Sequence, residues 1–86
     1  MTGRSDEANL AWAAEQGRVL YTSNYGDFAR LHWAWIANQR RHAGLVLRTW
    51  QRMPIGLQVR GLLAVAAAFD ADSIRGEMIY LGEFVD

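Results

Sequence analysis

Residues 20–32, LYTSNYGDFARLH, carry the chain from an apolar run through Thr22, Asn24, Gly26 and Asp27 into a new helical pattern. An apolar run with β-branched and aromatic residues that ends in turn formers reads as a strand. The strand is expected over residues 18–22, between Gly17 and the turn at 24–26, and buried on both faces. An acid ahead of a 3.6-residue apolar period reads as a helix start, so Asp27 is expected as an N-cap. The apolar positions of that helix, Phe28, Leu31, Trp35 and Ile36, fall at i, i+3, i+7 and i+8. Thr22, Asn24 and Asp27 are then either parts of an acidic metal site or the punctuation of a strand-to-helix turn.

Working outward, Ser5 followed by Asp6 and Glu7 reads as an N-cap with acids in the first turn, opening a helix over 5–16 that Gly17 ends. Beyond the second helix, NQRRHAG is turn-like, and LVLRT after Gly44 repeats the first strand pattern. Pro54 suits the first turn of a third helix. Ile55, Val59, Leu62, Ala66 and Phe69 are expected on its inner face. DADSIRG suits one short helical turn, and EMIYLGEF a last strand over 77–84. The order α-β-α-β-α-β points to an α/β sandwich with a largely parallel sheet.

Composition sets the outer limits. Eighty-six residues suit one small domain with a core of modest stability. Nine arginines balance nine acids, so no global charge steers the chain to a polyanion, and any nucleic-acid contact must be local. There is no cysteine, which removes disulfides, thiolate nucleophiles and sulfur-ligated metals. The longest apolar run, residues 62–69, is far below the ~20 residues of a membrane helix. The chain is expected to be soluble, and a cytoplasmic location is compatible with this composition.

In open α/β sheets functional residues gather beyond the carboxyl ends of the strands, where the opening stretch lies. Two or more carboxylates there can hold a hard divalent ion, which activates water and neutralises charge on a phosphodiester. Asp27 supplies one carboxylate, Asp6 or Glu7 a second if that helix end folds over the same edge, and Asn24 a neutral amide. Asp6 as a first-turn acid and Asp27 as a cap have equally good reasons unrelated to metal. His32 and His42 are ten residues apart, not at the i, i+4 spacing of a helical metal pair. His42, beside Arg40 and Arg41, is expected as a loop side chain or a phosphate contact. Trp33 and Trp35 precede the basic QRRH loop and suit base stacking beside it, but Trp35 also fits the buried helix face, and Trp33 or Trp50 fits a cover for the sheet. No Gly-rich phosphate loop or nucleophile elbow is present.

The segments SDEANLAWAAEQGRVLYTSNYGDFARLH, HAGLVL and PIGLQVRGLLAVAAAFDADSIRGEMIYL together resemble the bacterial PIN-like family of small domains of unknown function, relatives of the PIN nucleases. The resemblance rests on Ser5, Asp6 and Glu7, on Thr22 and Asn24, on Asp27 and Phe28, and on His42 and Gly44, in that order and spacing. It implies a PIN-like three-layer sandwich, with residues 1–86 as one domain matching the C-terminal two-thirds of the usual one. It also implies a metal-dependent endoribonuclease, of the toxin type of a toxin–antitoxin pair. In that reading Asp6, Glu7, Asn24 and Asp27 form the catalytic cluster, Asp6 and Asp27 hold Mg2+ or Mn2+, and Thr22, Arg40, Arg41 and His42 contact RNA.

Two departures weaken that implication. Family members begin with a strand bearing a Leu-Asp-Glu-Asn-like motif, followed by a helix and a second strand, and this sequence has none of them. Asn24 stands where catalytic PIN domains have aspartate. The alternative is a truncated PIN-like domain without catalysis, which binds a second copy or an antitoxin-like partner. Without the first strand, RVLYT becomes an open apolar edge, and a homo-oligomer with Val19 and Tyr21 near the contact is expected.

Overall fold

The computed structural model describes residues 5–85. Helix α1, Asp6–Glu15, starts as expected, with the Ser5 hydroxyl accepting the Ala8 N–H at 3.2 Å and Asp6 and Glu7 in the first turn. It ends in a Schellman arrangement. The Arg18 N–H reaches the Ala13 carbonyl at 2.8 Å and the Gly17 N–H reaches that of Ala14 at 3.2 Å. Gly17 has φ 66, a conformation that costs glycine little.

Strand β1, Leu20–Thr22, follows, and it is half-buried along its length instead of buried on both faces. Its position explains this. Strands β2, Leu45–Leu47, and β3, Met78–Tyr80, complete an all-parallel sheet in the order β1-β2-β3, so β1 is an outer strand. Leu20 pairs with Leu45 and Leu45 with Met78 in register. Only β2 is buried at every position, as a central parallel strand should be.

Helix α2, Tyr25–Ala37, begins three residues before the expected start, with its N-cap at Asn24 and not Asp27. The Thr22 hydroxyl accepts the Asn24 N–H at 3.1 Å and turns the chain early. Asn24 therefore sits at the N-cap without a side-chain capping bond, and Asp27 lies inside the first turn, where its charge suits the helix dipole without capping. The buried face of α2 is Phe28, His32 and Trp35, while Ile36, expected inside, is exposed.

Helix α3, Ile55–Ala68, follows Pro54, which stands at the N-cap and not in the first turn. Of its expected inner face, Leu62 and Phe69 do pack half-buried against the core, and the rest differs. Gly61 and Val65 are buried, whereas Ile55 is 73 % exposed and Val59 and Leu63 are also outside. The 3.6-residue turn places Val59 and Leu63 opposite Gly61, and it is Gly61 that faces the fully buried Leu81. Helix α4, Ala71–Ile74, is the expected short turn, held by a capping box between Asp70 and Ser73. The last strand stops at Tyr80, because residues Leu81–Phe84 tighten into a 3-10 turn that packs on α3.

The sheet separates two clusters. Leu45 and Leu47 join Leu10, Phe28 and Trp35 of α1 and α2 on one face. Val46 joins Met53, Val65, Ile74, Ile79 and Leu81 on the other. The molecule is thus a mixed α/β fold with helices on both sides of a three-stranded parallel sheet. Among the described residues no helix is long and apolar enough to cross a membrane.

Candidate functional site

At the carboxyl edge of the sheet, the end of β1 and the starts of α1 and α2 meet. Asp6, Glu7 and Asp27 line one open groove of about 510 Å³, together with Arg30 and Leu31. The α1 start does fold over this edge. Asn24 donates its side-chain N–H to Asp6 at 2.8 Å, and Arg30 pairs with Asp27 one helical turn on. Thr22 spends its hydroxyl as acceptor for the Asn24 backbone. The loop after β2 closes the edge from the other side, with the Gln51 amide donating to the Ser23 carbonyl at 3.0 Å.

Each of the two carboxylates therefore has a protein donor. The amide of Asn24 turns its N–H, not its oxygen, toward Asp6, so it offers a cation no ligand on that side. Among the described residues no group of three or more His, Cys, Asp or Glu side chains comes close enough to hold a metal ion. A divalent cation needs several anionic or carbonyl oxygens at short range. As arranged, Asp6, Asn24 and Asp27 do not fit one: a third close ligand is missing among the described residues, and one oxygen of each carboxylate already accepts a protein N–H, from Asn24 and from Arg30.

The amino edge of the sheet holds a different set of groups. His42, placed by the sequence in a loop or on a phosphate, is 2 % exposed and sits against the equally enclosed His32. The segment that carries it runs directly into the wholly buried β2, which draws the ring inside. His32 Nδ1 and His42 Nε2 are 2.9 Å apart, and the Gly44 N–H donates to His42 Nδ1 at 3.1 Å. These bonds set the protons. His42 Nδ1 must be the acceptor, so Nε2 carries the proton and donates to His32 Nδ1, leaving His32 with its proton on Nε2.

Both rings are neutral by construction. Burial, and then the neighbouring His32, push the His42 imidazole down to about 4. His32 is also lowered by burial, with Glu77 opposing the shift. Sequence spacing missed this pair because the residues come from a helix and a loop, but His32 lies four after Phe28 and three before Trp35, on the buried face.

Around the pair stand Arg40, Arg41 and Arg75. The Arg40 guanidinium lies 3.9 Å from the centroid of the buried Trp35 ring. With Arg41, Arg75, His42 and Glu77 it lines a cleft of about 490 Å³. Trp33 and Trp50 are both exposed, at 60 % and 50 %, so neither acts as a cover for the sheet. Trp35, by contrast, is buried as its helical phase required.

The chain matches no protein-family model, no curated protein and no solved structure.

Proposed function

We propose that this chain is a PIN-like module that works by association rather than catalysis, pairing with a second copy through the outer edge of β1. The observation that carries this reading is the one-sided pairing of β1. Among the described residues it bonds to β2 alone, while Val19, at its entry, is 44 % exposed. A hollow of about 290 Å³ lined by Val19, Leu62, Ala66, Phe69 and Ile74 opens beside the same edge. Unpaired strand edges recruit another strand, and the zero net charge sets no long-range repulsion between copies. Antiparallel pairing of β1 with its own copy gives a closed two-fold contact.

Tyr21 takes part through its backbone. Its ring packs on the α3 side and its hydroxyl donates to Gln58 Oε1 at 2.8 Å, so a charge placed at Tyr21 would disturb the core as well as the contact. Val19→Lys is the cleaner probe. Native mass spectrometry and light scattering at micromolar concentration are expected to show a dimer for the parent chain, and at least a tenfold weaker dimer for Val19→Lys. A monomeric parent chain, or a dimer indifferent to the charge, would refute the reading. A stable complex with an antitoxin-like chain that displaces the second copy would move the assignment to that partner.

One observation favours a second reading, a Mg2+- or Mn2+-dependent endoribonuclease: Asp6, Glu7 and Asp27 share one groove. The bonds from Asn24 and Arg30 oppose it. The isolated chain is therefore expected to show no metal-dependent cleavage of single-stranded RNA above background. Manganese-dependent cleavage that disappears in Asp27→Ala would establish the nuclease instead.

A further inference from the structure

We propose that the amino edge of the sheet is a binding site for a small phosphorylated ligand, gripped by Arg40, Arg41 and Arg75. The cleft lies between the end of α2 and the segment entering β3, and its volume of about 490 Å³ is in the range of small-ligand sites. Arg41 and Arg75 also border an adjoining hollow of about 310 Å³ beside Gly17, so they stand on the ridge between two depressions. Like charges gathered in a concave wall repel unless an anion joins them. Glu77 is the acid on that wall, and among the described residues neither Arg41 nor Arg75 has a carboxylate within salt-bridge distance. The cleft therefore keeps a positive excess.

Two of the three arginines have packing contacts on this wall. The Arg40 guanidinium lies over the Trp35 ring at 3.9 Å, a contact that restrains it, and a guanidinium stacked by its face keeps its edge N–H groups for an oxyanion. The Arg41 stem lies over Gly76, where φ is 77 and a Cβ would stand 3.1 Å from Arg41 Cγ. A side chain at Gly76 would push Arg41 off the wall. The Gly76 N–H is tied to the His42 carbonyl at 2.8 Å, so the floor is rigid. Planar guanidinium groups lining one cleft can match phosphate oxygens by paired hydrogen bonds.

The proposed role is binding, and His42 is not available to it as a base. His42, the ring nearest the arginines, has Nδ1 committed to Gly44 and Nε2 committed to His32, so it has no free nitrogen to act as a base. This site is independent of the β1 edge and of the acid-lined groove at the opposite end of the strands, and the self-association reading stands or falls separately.

The test is isothermal titration of the full chain with inorganic phosphate and then with a nucleoside 5′-monophosphate, at fixed ionic strength. Saturable binding is expected for both. The exposed pair Arg41→Gln and Arg75→Gln should weaken it at least tenfold with the circular dichroism spectrum unchanged, and Arg60→Gln, on α3, should leave it alone. If the double variant fails to fold, each single variant and Arg40→Gln are read instead, with a threefold or greater loss expected. Absence of saturable binding, or equal binding by parent and variants, overturns the proposal. Binding of a single-stranded oligonucleotide with no response to phosphate or nucleotide also overturns it, in favour of a polyanion surface.

Discussion

Lowering the pH from 7 to about 4 is expected to remove about 3 kcal/mol of stability through the buried His32–His42 pair. His42 titrates at 6.5 in the unfolded chain and at about 4 in the fold. Between these values the unfolded state binds more protons than the native one, so stability rises with pH in that window. It is fully present above 6.5, falls as the pH drops toward 4, and shows no further loss from this group below that. One pKa unit is worth about 1.4 kcal/mol, and the separation between the two values sets the size of the loss. His32 moves in the same direction.

The structural cause is visible in the proton count. A proton added to His42 Nδ1 would face the Gly44 N–H, and one added to His32 Nδ1 would face the His42 Nε2 proton. Asp70 also has its carboxyl held below the usual range, by bonds to Ser73, but its loss of stability falls below pH 3.8 and lies outside the histidine window. Urea midpoints followed by circular dichroism at pH 7.5, 6, 5 and 4.2, at one protein concentration, measure the effect. In His42→Asn with His32→Leu the slope between pH 6.5 and 4.5 should vanish even though the variant is less stable at pH 7.5. A parent chain whose midpoint is flat across this range would show that the rings titrate freely.

What the sequence made legible divides along one physical line. Features set by neighbours in the chain were readable: the Ser5 cap, the stop at Gly17, the helical phase that buries Phe28 and Trp35, and the parallel order of the strands. Features set by what crosses the core were not. Residues 55–68 are apolar or small almost all the way round, so periodicity could not choose between Val59 and Gly61 as the inner face. The early start of α2 came from one hydroxyl, Thr22, acting on the backbone of Asn24. The same distinction applies to the sites. Asp6 and Asp27 were rightly brought to one edge, but Asn24 and Arg30 had to be seen in place before their carboxylates proved to be partnered. The arginines of the amino edge come from the end of α2 and from the turn before β3, and spacing could not have joined Arg41 to Arg75.

Gly61→Val is expected to lower stability by about 3 kcal/mol, because at this position α3 presents no side chain of its own to the Leu81 and Val85 side chains packed against it. A Cβ at residue 61 would lie 2.7 Å from Leu81 Cδ1 and 3.0 Å from Val85 Cγ1. Leu81 is fully enclosed, so it has no empty space to swing into, and relief requires the 3-10 turn to move off α3. Overpacking a close-fitting core costs about 1–3 kcal/mol, and a β-branched residue brings little of the helix propensity that alanine would return. Gly61→Ala should therefore lose less than Gly61→Val, because about 1 kcal/mol of helix propensity offsets its clash. Gly56 is the control. Nothing lies within 4 Å of its added Cβ, so Gly56→Ala should raise stability by a few tenths of a kcal/mol. For a domain of this size, 3 kcal/mol corresponds to a melting temperature lower by roughly 12–24 °C. Thermal melts of the three variants beside the parent settle the order: Gly56→Ala highest, then the parent, Gly61→Ala and Gly61→Val. A Gly61→Val chain that melts within a few degrees of the parent would mean that the 3-10 turn does not pack on α3, and the second core cluster would have to be redrawn without Leu81.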